Sequence, residues 1–345
     1  MALLTEFWVL VGFHVFIGLM LLVDLGVFQK TAHTVSTKEA AIWSVVWIGL
    51  ALLFAMGLWK FWHLWDAENT DRGADKATEF LTGYLIEKAL SVDNLFVFLI
   101  IFRYFAVPPQ YQHRVLLWGV IGAVIMRGIL ILAGAALLAL FHWMNYLFGA
   151  FLLYTSYKMA RSVEREIDPA SSPLLRLVRR FVPYVEGYDT PRFWVQREGK
   201  WHLTTLSLVV LVVESTDLVF ALDSIPAIFG ITKDPFIVYT SNIFAILGLR
   251  ALYFLLANFL GMFRYLGVGL AIVLAFVGLK MIAEKPLNLF LDSAGIGQRL
   301  QVLLSLGVIA AILGVAVVLS IAAGSKEPLE HPPEDSAVGP APPDR

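Results

Sequence analysis

The sequence predicts an all-α, polytopic membrane protein of about nine transmembrane helices, built around an inverted repeat of two three-helix units. Three observations predict it. Hydrophobic residues make up 59% of the 345 and mean hydropathy is +0.75, against about 45–50% apolar residues in soluble domains. These residues gather in stretches of about twenty, enough for a helix to cross roughly 30 Å of hydrocarbon. Marks set in the third to fifth stretches recur, in order, in the sixth to eighth.

The nine stretches run roughly 6–28, 39–59, 78–102, 115–137, 139–159, 204–229, 236–257, 262–282 and 300–323. The first begins at Phe7, with no basic residue in Met1 to Thr5 and no cleavage pattern after it, so it reads as a retained span. The third and sixth interrupt their apolar runs with acids. Ala139 to His142 form the whole turn between the fourth and fifth. The segment 158–203 carries nine basic residues: Lys158, Arg161, Arg165, Arg176, Arg179, Arg180, Arg192, Arg197 and Lys200. By the positive-inside rule it is a basic cytoplasmic loop. The loop at 60–77, with Asp66, Glu68, Asp71 and Asp75 against Arg72 and Lys76, then lies outside. Counting crossings puts the N-terminus outside and the C-terminus in the cytoplasm. The 158–203 segment also holds Phe181, Trp194 and Trp201, as a loop lying on anionic headgroups does. The Pro-rich, charged tail at 326–345 reads as disordered. Residues 1–325 form the transmembrane domain.

Formal net charge is −1, which gives no electrostatic footprint for nucleic acid. Cysteine is absent, which excludes disulfides and thiolate metal sites. The partners that composition leaves are the lipid bilayer and small solutes; the oligomeric state is not legible.

The repeat extends from about 78–160 to about 204–283, with spans one, two and nine outside it. The third span reads Glu87-Lys-Ala-Leu-Ser-Val-Asp93-Asn94, and the sixth Asp217-Leu-Val-Phe-Ala-Leu-Asp223-Ser224. Gly119 precedes Arg127 by eight residues, as Asn242 precedes Arg250. Lys158-Met159 and Lys280-Met281 close the two units. Each unit has three crossings, so the second must enter from the opposite side. Inverted repeats of this kind are a signature of secondary transporters, with sites near the midplane.

An acid at the centre of a membrane helix costs on the order of 2.5–3.5 kcal/mol. Glu87, Asp93, Asp217, Asp223 and Glu214, one turn upstream of Asp217, are therefore expected to handle a cation. Six residues of helix advance about 9 Å and turn about 600°, so the two acids of each repeat point about 120° apart. Either the helices break between them, a reading that Pro226 favours, or each acid serves a different partner. Glu214 and Asp217 share a face. Carboxylates with Asn94 and Ser224 beside them make an oxygen site, suited to Mg²⁺, Ca²⁺ or Mn²⁺. They could equally relay protons. The seven His are scattered, and His14, near the centre of a span, reads as a packed core residue. Arg127, Arg250 and Lys88 are read as charge-compensating, with fixed structural salt bridges as the alternative for the two Arg. Asp24, at the end of the first span, is an outer candidate ligand or an interfacial acid.

The motifs around Glu87 to Asn94, Arg127, Asp217 to Pro226 and Tyr239 to Arg250 resemble the TerC family, named for tellurium resistance. The resemblance covers roughly residues 7 to 323 and includes Asp24-Leu-Gly-Val-Phe in the first span. It implies three-helix inverted repeats, the bacterial cytoplasmic membrane and Mn²⁺ as an exported cargo. The metal set it implies is Glu87, Asp93, Asn94, Glu214, Asp217 and Asp223, with Asp24 outside. No cofactor is expected. No Gly-rich ATP-binding motif is present, so proton antiport is the natural energy source. A channel would use similar acids without broken helices. A membrane scaffold or assembly factor would keep the acids as a structural network. An enzyme is not expected, because Ser91, Ser215 and Ser224 have no His base at usable spacing.

Overall fold

The structure, a computed structural model, describes residues 11–20, 22, 36–64, 72–141, 143–161, 183–185, 187–188, 190, 192–197, 199–256, 265–287 and 298–323. Asp24, the tail from 326 and the side chain of Asp93 lie outside that description.

A described helix overlaps each of the nine stretches. These are α1 (Val11–Met20), α2 (Thr37–Phe61), α3 (Gly73–Tyr104), α4 (Pro109–Leu140), α5 (Met144–Arg161), α6 (Thr205–Phe229), α7 (Pro235–Leu247) followed by α8 (Leu249–Leu256), α9 (Leu266–Ile282) and α10 (Gln298–Ala322). Five spans are long and apolar enough to cross a membrane by length and composition alone: those of α2, α4, α6, α7 with α8, and α10. Helix α3 misses that standard because acids and lysines interrupt it.

Local chemistry sets the ends. Ser36 accepts from the Glu39 amide at 3.3 Å and starts α2. Pro109 and Pro235 sit at first positions, where a missing amide costs nothing. Asp234 caps α7 by accepting from the Phe236 amide at 3.0 Å. The turn between α4 and α5 lies one or two residues later than the sequence reading of Ala139 to His142: α4 keeps Ala139 and Leu140, and Phe141 and Trp143 belong to the turn.

Breaks in the third and sixth spans were one of two readings of the acid spacing, and the structure does not show them. Helices α3 and α6 run unbroken through their acids, and Pro226 is accommodated inside α6. The break lies in the seventh span instead. Gly248 caps α7 by donating to Ile246 O, and α8 restarts one residue later. The basic segment is also more than a loop. Its end folds into a three-stranded sheet, β1 (Tyr184–Val185), β2 (Trp194–Arg197) and β3 (Lys200–Thr204), in the order β1-β3-β2. Strand β3 is parallel to β1 and antiparallel to β2.

Packing crosses between the two groups of helices. Helix α3 packs on α7, α4 on α6, and α5 on α9. The last contact is the closest, because glycines meet there. A Cβ on Gly149 would stand 2.9 Å from Gly278 O, and one on Gly278 2.9 Å from Gly149 O. Small residues that let backbones approach are how helices associate in lipid. An aromatic cluster of Phe13, Phe54, Phe80 and Phe244 joins α1, α2, α3 and α7. Large apolar side chains on α2, α4 and α10, such as Val45, Leu132 and Val318, are exposed, and a bilayer would cover such a surface.

Candidate ion site

The centre of the bundle holds one dense polar cluster, and Arg127 of α4 organises it. Its guanidinium is buried, and its fork grips Asp217 of α6, Nε to Oδ2 at 3.1 Å and Nη2 to Oδ1 at 2.9 Å. Its Nη1 donates to Glu87 Oε1 of α3, to Asn242 Oδ1 at 3.3 Å and to Ser224 Oγ at 3.4 Å. Asn242 Nδ2 then donates to the other Glu87 oxygen at 3.1 Å. Glu87, Asp217, Asn242 and Ser224 are all buried. A planar fork suits this place, since one guanidinium can serve two carboxylates where a lysine offers a point charge.

Four helices build the cluster, because α3 packs on both α6 and α7, and α4 packs on both as well. Acids about 130 positions apart in the chain therefore share one cation. On α6, of the two readings of the acid spacing, the structure realises different partners. Asp217 faces Arg127, while Asp223 turns to α5, where Thr155 Oγ1 donates to it at 3.2 Å.

Glu214 lies one turn before Asp217 with its carboxylate against the backbone of Gly122 on α4. A Cβ added at Gly122 would stand 2.0 Å from Glu214 Oε1 and 2.3 Å from its Cδ. Arg127 does not bind Glu214, so this acid is a near neighbour of the cluster and not part of it. Asn94 is buried in α3 and is not among the groups that touch Arg127. Among the described residues no three His, Asp or Glu side chains gather as a metal cluster. Asp93 and Asp24, both candidate ligands, lie outside the described side chains.

One charge-compensating assignment needs correction. Lys88 does not meet Glu87. Its Nζ donates to Ala245 O at 3.3 Å and lies beside Gly248, at the break between α7 and α8. Neighbours on a helix point about 100° apart, so Lys88 leaves its acid for the next helix. Arg250 stands apart from the Arg127 cluster. It is buried and meets His113 Nε2 at 3.0 Å, near the start of α4. The break at Gly248 separates Arg250 from Asn242, and only Asn242 reaches the cluster.

Sequence reasoning missed Asn242, Gly122 and Thr155 as site residues. Asn242 carried a signal, a lone amide in an apolar run at the position that matches Gly119 in the repeat. Gly122 and Thr155 carried none, because their roles depend on which helix lies opposite.

The profile of the integral membrane protein TerC family matches residues 72–327, most of the chain and all of this cluster. The chain belongs to the TerC family. An uncharacterized membrane protein of Myxococcus xanthus is 46% identical over 310 residues, covering 90% of this chain and 91% of that protein. Escherichia coli strain K12 has Alx, described only provisionally as a membrane-bound redox modulator. It is 48% identical over 272 residues, 79% of this chain and 84% of Alx. The thylakoid membrane protein TERC of Arabidopsis thaliana is 41% identical over 293 residues, 85% of this chain and 70% of that protein. No solved structure matches.

Proposed function

We propose that this TerC protein is a secondary transporter that exports a hard divalent cation across the cytoplasmic membrane by alternating access, with protons as the coupling ion. One observation carries the reading: a buried acid from each helix group, Glu87 and Asp217, shares a single internal cation, Arg127. The guanidinium holds the place between two carboxylates that an incoming ion would take. The surrounding donors, carboxylate, Asn242 Oδ1 and Ser224 Oγ, are all oxygen. That set suits Mg²⁺, Ca²⁺ or Mn²⁺ over Zn²⁺ or Cu⁺. Within it, Mn²⁺ is the cargo that the family resemblance implies.

The reciprocal packing supports two inverted three-helix units, α3 to α5 and α6 to α9. The first helix of each packs on the second of the other, and the third helices pack together. In this reading Arg127 releases Asp217 or Glu87 as the ion arrives, Glu214 lies on the cytoplasmic approach, and one unit rocks against the other to release the ion outside. The N-terminus stands outside and the C-terminus inside.

A second reading has its own observation. The Arg127 cluster satisfies its own hydrogen bonds, as a structural clamp in an assembly factor would. The thiol-free chain could not carry a disulfide-based redox role of its own. Flux into inside-out vesicles, measured for Mn²⁺, Mg²⁺, Ca²⁺ and Zn²⁺ with and without a pH gradient, separates the readings. Transport predicts saturable Mn²⁺ uptake, driven by the gradient and abolished by Glu87→Gln. No uptake by well-folded wild-type protein would leave the clamp.

A further inference from the structure

We infer that the β2–β3 hairpin is a docking site for the anionic lipid surface, which seats its tryptophan face in the headgroup region. This inference does not depend on transport.

The strand register sorts the side chains. Trp194 pairs with Leu203 and Gln196 with Trp201, so these four share one face. Val195, Arg197, Lys200 and His202 share the other. On the first face Trp194 and Trp201 are 61% and 65% exposed. With Leu203 they line an apolar groove of about 330 Å³. Exposed indoles over an apolar groove suit a phase that is apolar on one side and wet on the other, where Trp concentrates.

The level of the hairpin follows from its attachments. Strand β3 ends at Thr204 and α6 begins at Thr205, with no linker between them. At the base, Phe193 packs edge-on against Trp118 at 5.9 Å and lies under Arg114 at 5.2 Å. Helix α4 is 32 residues long and turns back at Leu140. About 20 of these residues cross the hydrocarbon, which leaves Trp118 and Arg114 at headgroup depth on the other side. Phe193 is therefore at that depth too.

Charge selects the occupant. Arg103, Arg114 and Arg161 close or open helices at this same end of the bundle. Between positions 192 and 203, Arg192, Arg197 and Lys200 stand against Glu198 alone. Basic residues near an anionic membrane surface are drawn to it within a Debye length. Gly199, with φ +76°, forms the turn that brings Arg197 opposite Lys200 at the tip.

The chain has no cysteine, so a single introduced one carries a unique nitroxide. Full-length Gln196→Cys and Val195→Cys proteins, spin-labelled in vesicles of phosphatidylcholine with or without phosphatidylglycerol, report the two faces. The expected result is a label at 196 reached by oxygen and shielded from a water-soluble nickel chelate, several-fold more so with phosphatidylglycerol. The label at 195 should be less shielded. Arg197→Gln with Lys200→Gln should remove the dependence on phosphatidylglycerol. Quenching of the wild-type tryptophans by lipid-borne nitroxide, reduced in Trp194→Phe/Trp201→Phe, is the check should a labelled variant misfold. Equal chelate access at 196 and 195 in both lipids would overturn the inference, and would leave the face to water or to a soluble protein. So would shielding that ignores lipid charge.

Discussion

Without the guanidinium of Arg127, Glu87 and Asp217 remain as two carboxylates in a dry interior, each deprived of its cationic partner. Breaking a buried pair in this way costs about 3–5 kcal/mol. Arg127→Leu is therefore expected to lower the melting temperature in detergent sharply. The triple variant with Glu87→Gln and Asp217→Asn should recover much of that loss, because no uncompensated charge is left. A second test lies at Gly122. Alanine there would place its Cβ 2.0 Å from the Glu214 carboxylate, whereas alanine at Gly119 meets only Val213 at 3.2 Å. Gly122→Ala should cut metal flux about tenfold, the equivalent of about 1.4 kcal/mol. Gly119→Ala should leave it nearly intact, and in a Glu214→Ala background Gly122→Ala should have no further effect. At this scale the charged residues were legible and their partners were not. Glu87, Asp217 and Arg127 stand out because charge in an apolar stretch is anomalous. That Arg127 takes both Glu87 and Asp217, while Lys88 turns to the Ala245 carbonyl, depends on helix rotation that no spacing rule revealed.

At the scale of the elements, the nine stretches were legible because a span must be apolar for about twenty residues, and each overlaps a described helix. The position of the break was not legible. The offset between Asp217 and Asp223 is absorbed by α6 serving two neighbours, and the discontinuity went to Gly248. The sheet before α6 was hidden by a basic, Pro-containing composition that reads as loop. The α5–α9 contact makes a prediction of its own. At Gly149 the nearest atoms to an added Cβ are Ile282 Cγ1 at 2.7 Å and the backbone oxygen of Gly278. The backbone cannot give way, so Gly149→Ala should force the helices apart and cost about 1–3 kcal/mol. Thermal unfolding of the purified protein checks it.

For the molecule as a whole, a polar clasp holds α3 to α7 at the end opposite the sheet. Lys76 Nζ lies 2.8 Å from Asp234 and 3.0 Å from Glu79, and Thr232 donates to Glu79 at 2.6 Å. Lys76 stands in the first turn of α3, ahead of the apolar stretch. Burial alone would lower its pKa, but Asp234 and Glu79 outweigh burial and raise it above the usual lysine value. A raised lysine stabilises the fold fully below its unfolded pKa, about 10.4, and loses that contribution as pH climbs through the higher folded value. Thermal stability of wild type should exceed that of Lys76→Met by a constant margin up to about pH 10, and the margin should close above it.

The guanidinium at the centre has one more consequence. In the proposed transport cycle, an empty site that brings its own plug of positive charge is not a void lined with anions, and it can reset without metal. It would return without a second metal ion, so metal waiting on the far side would not hasten the next delivery.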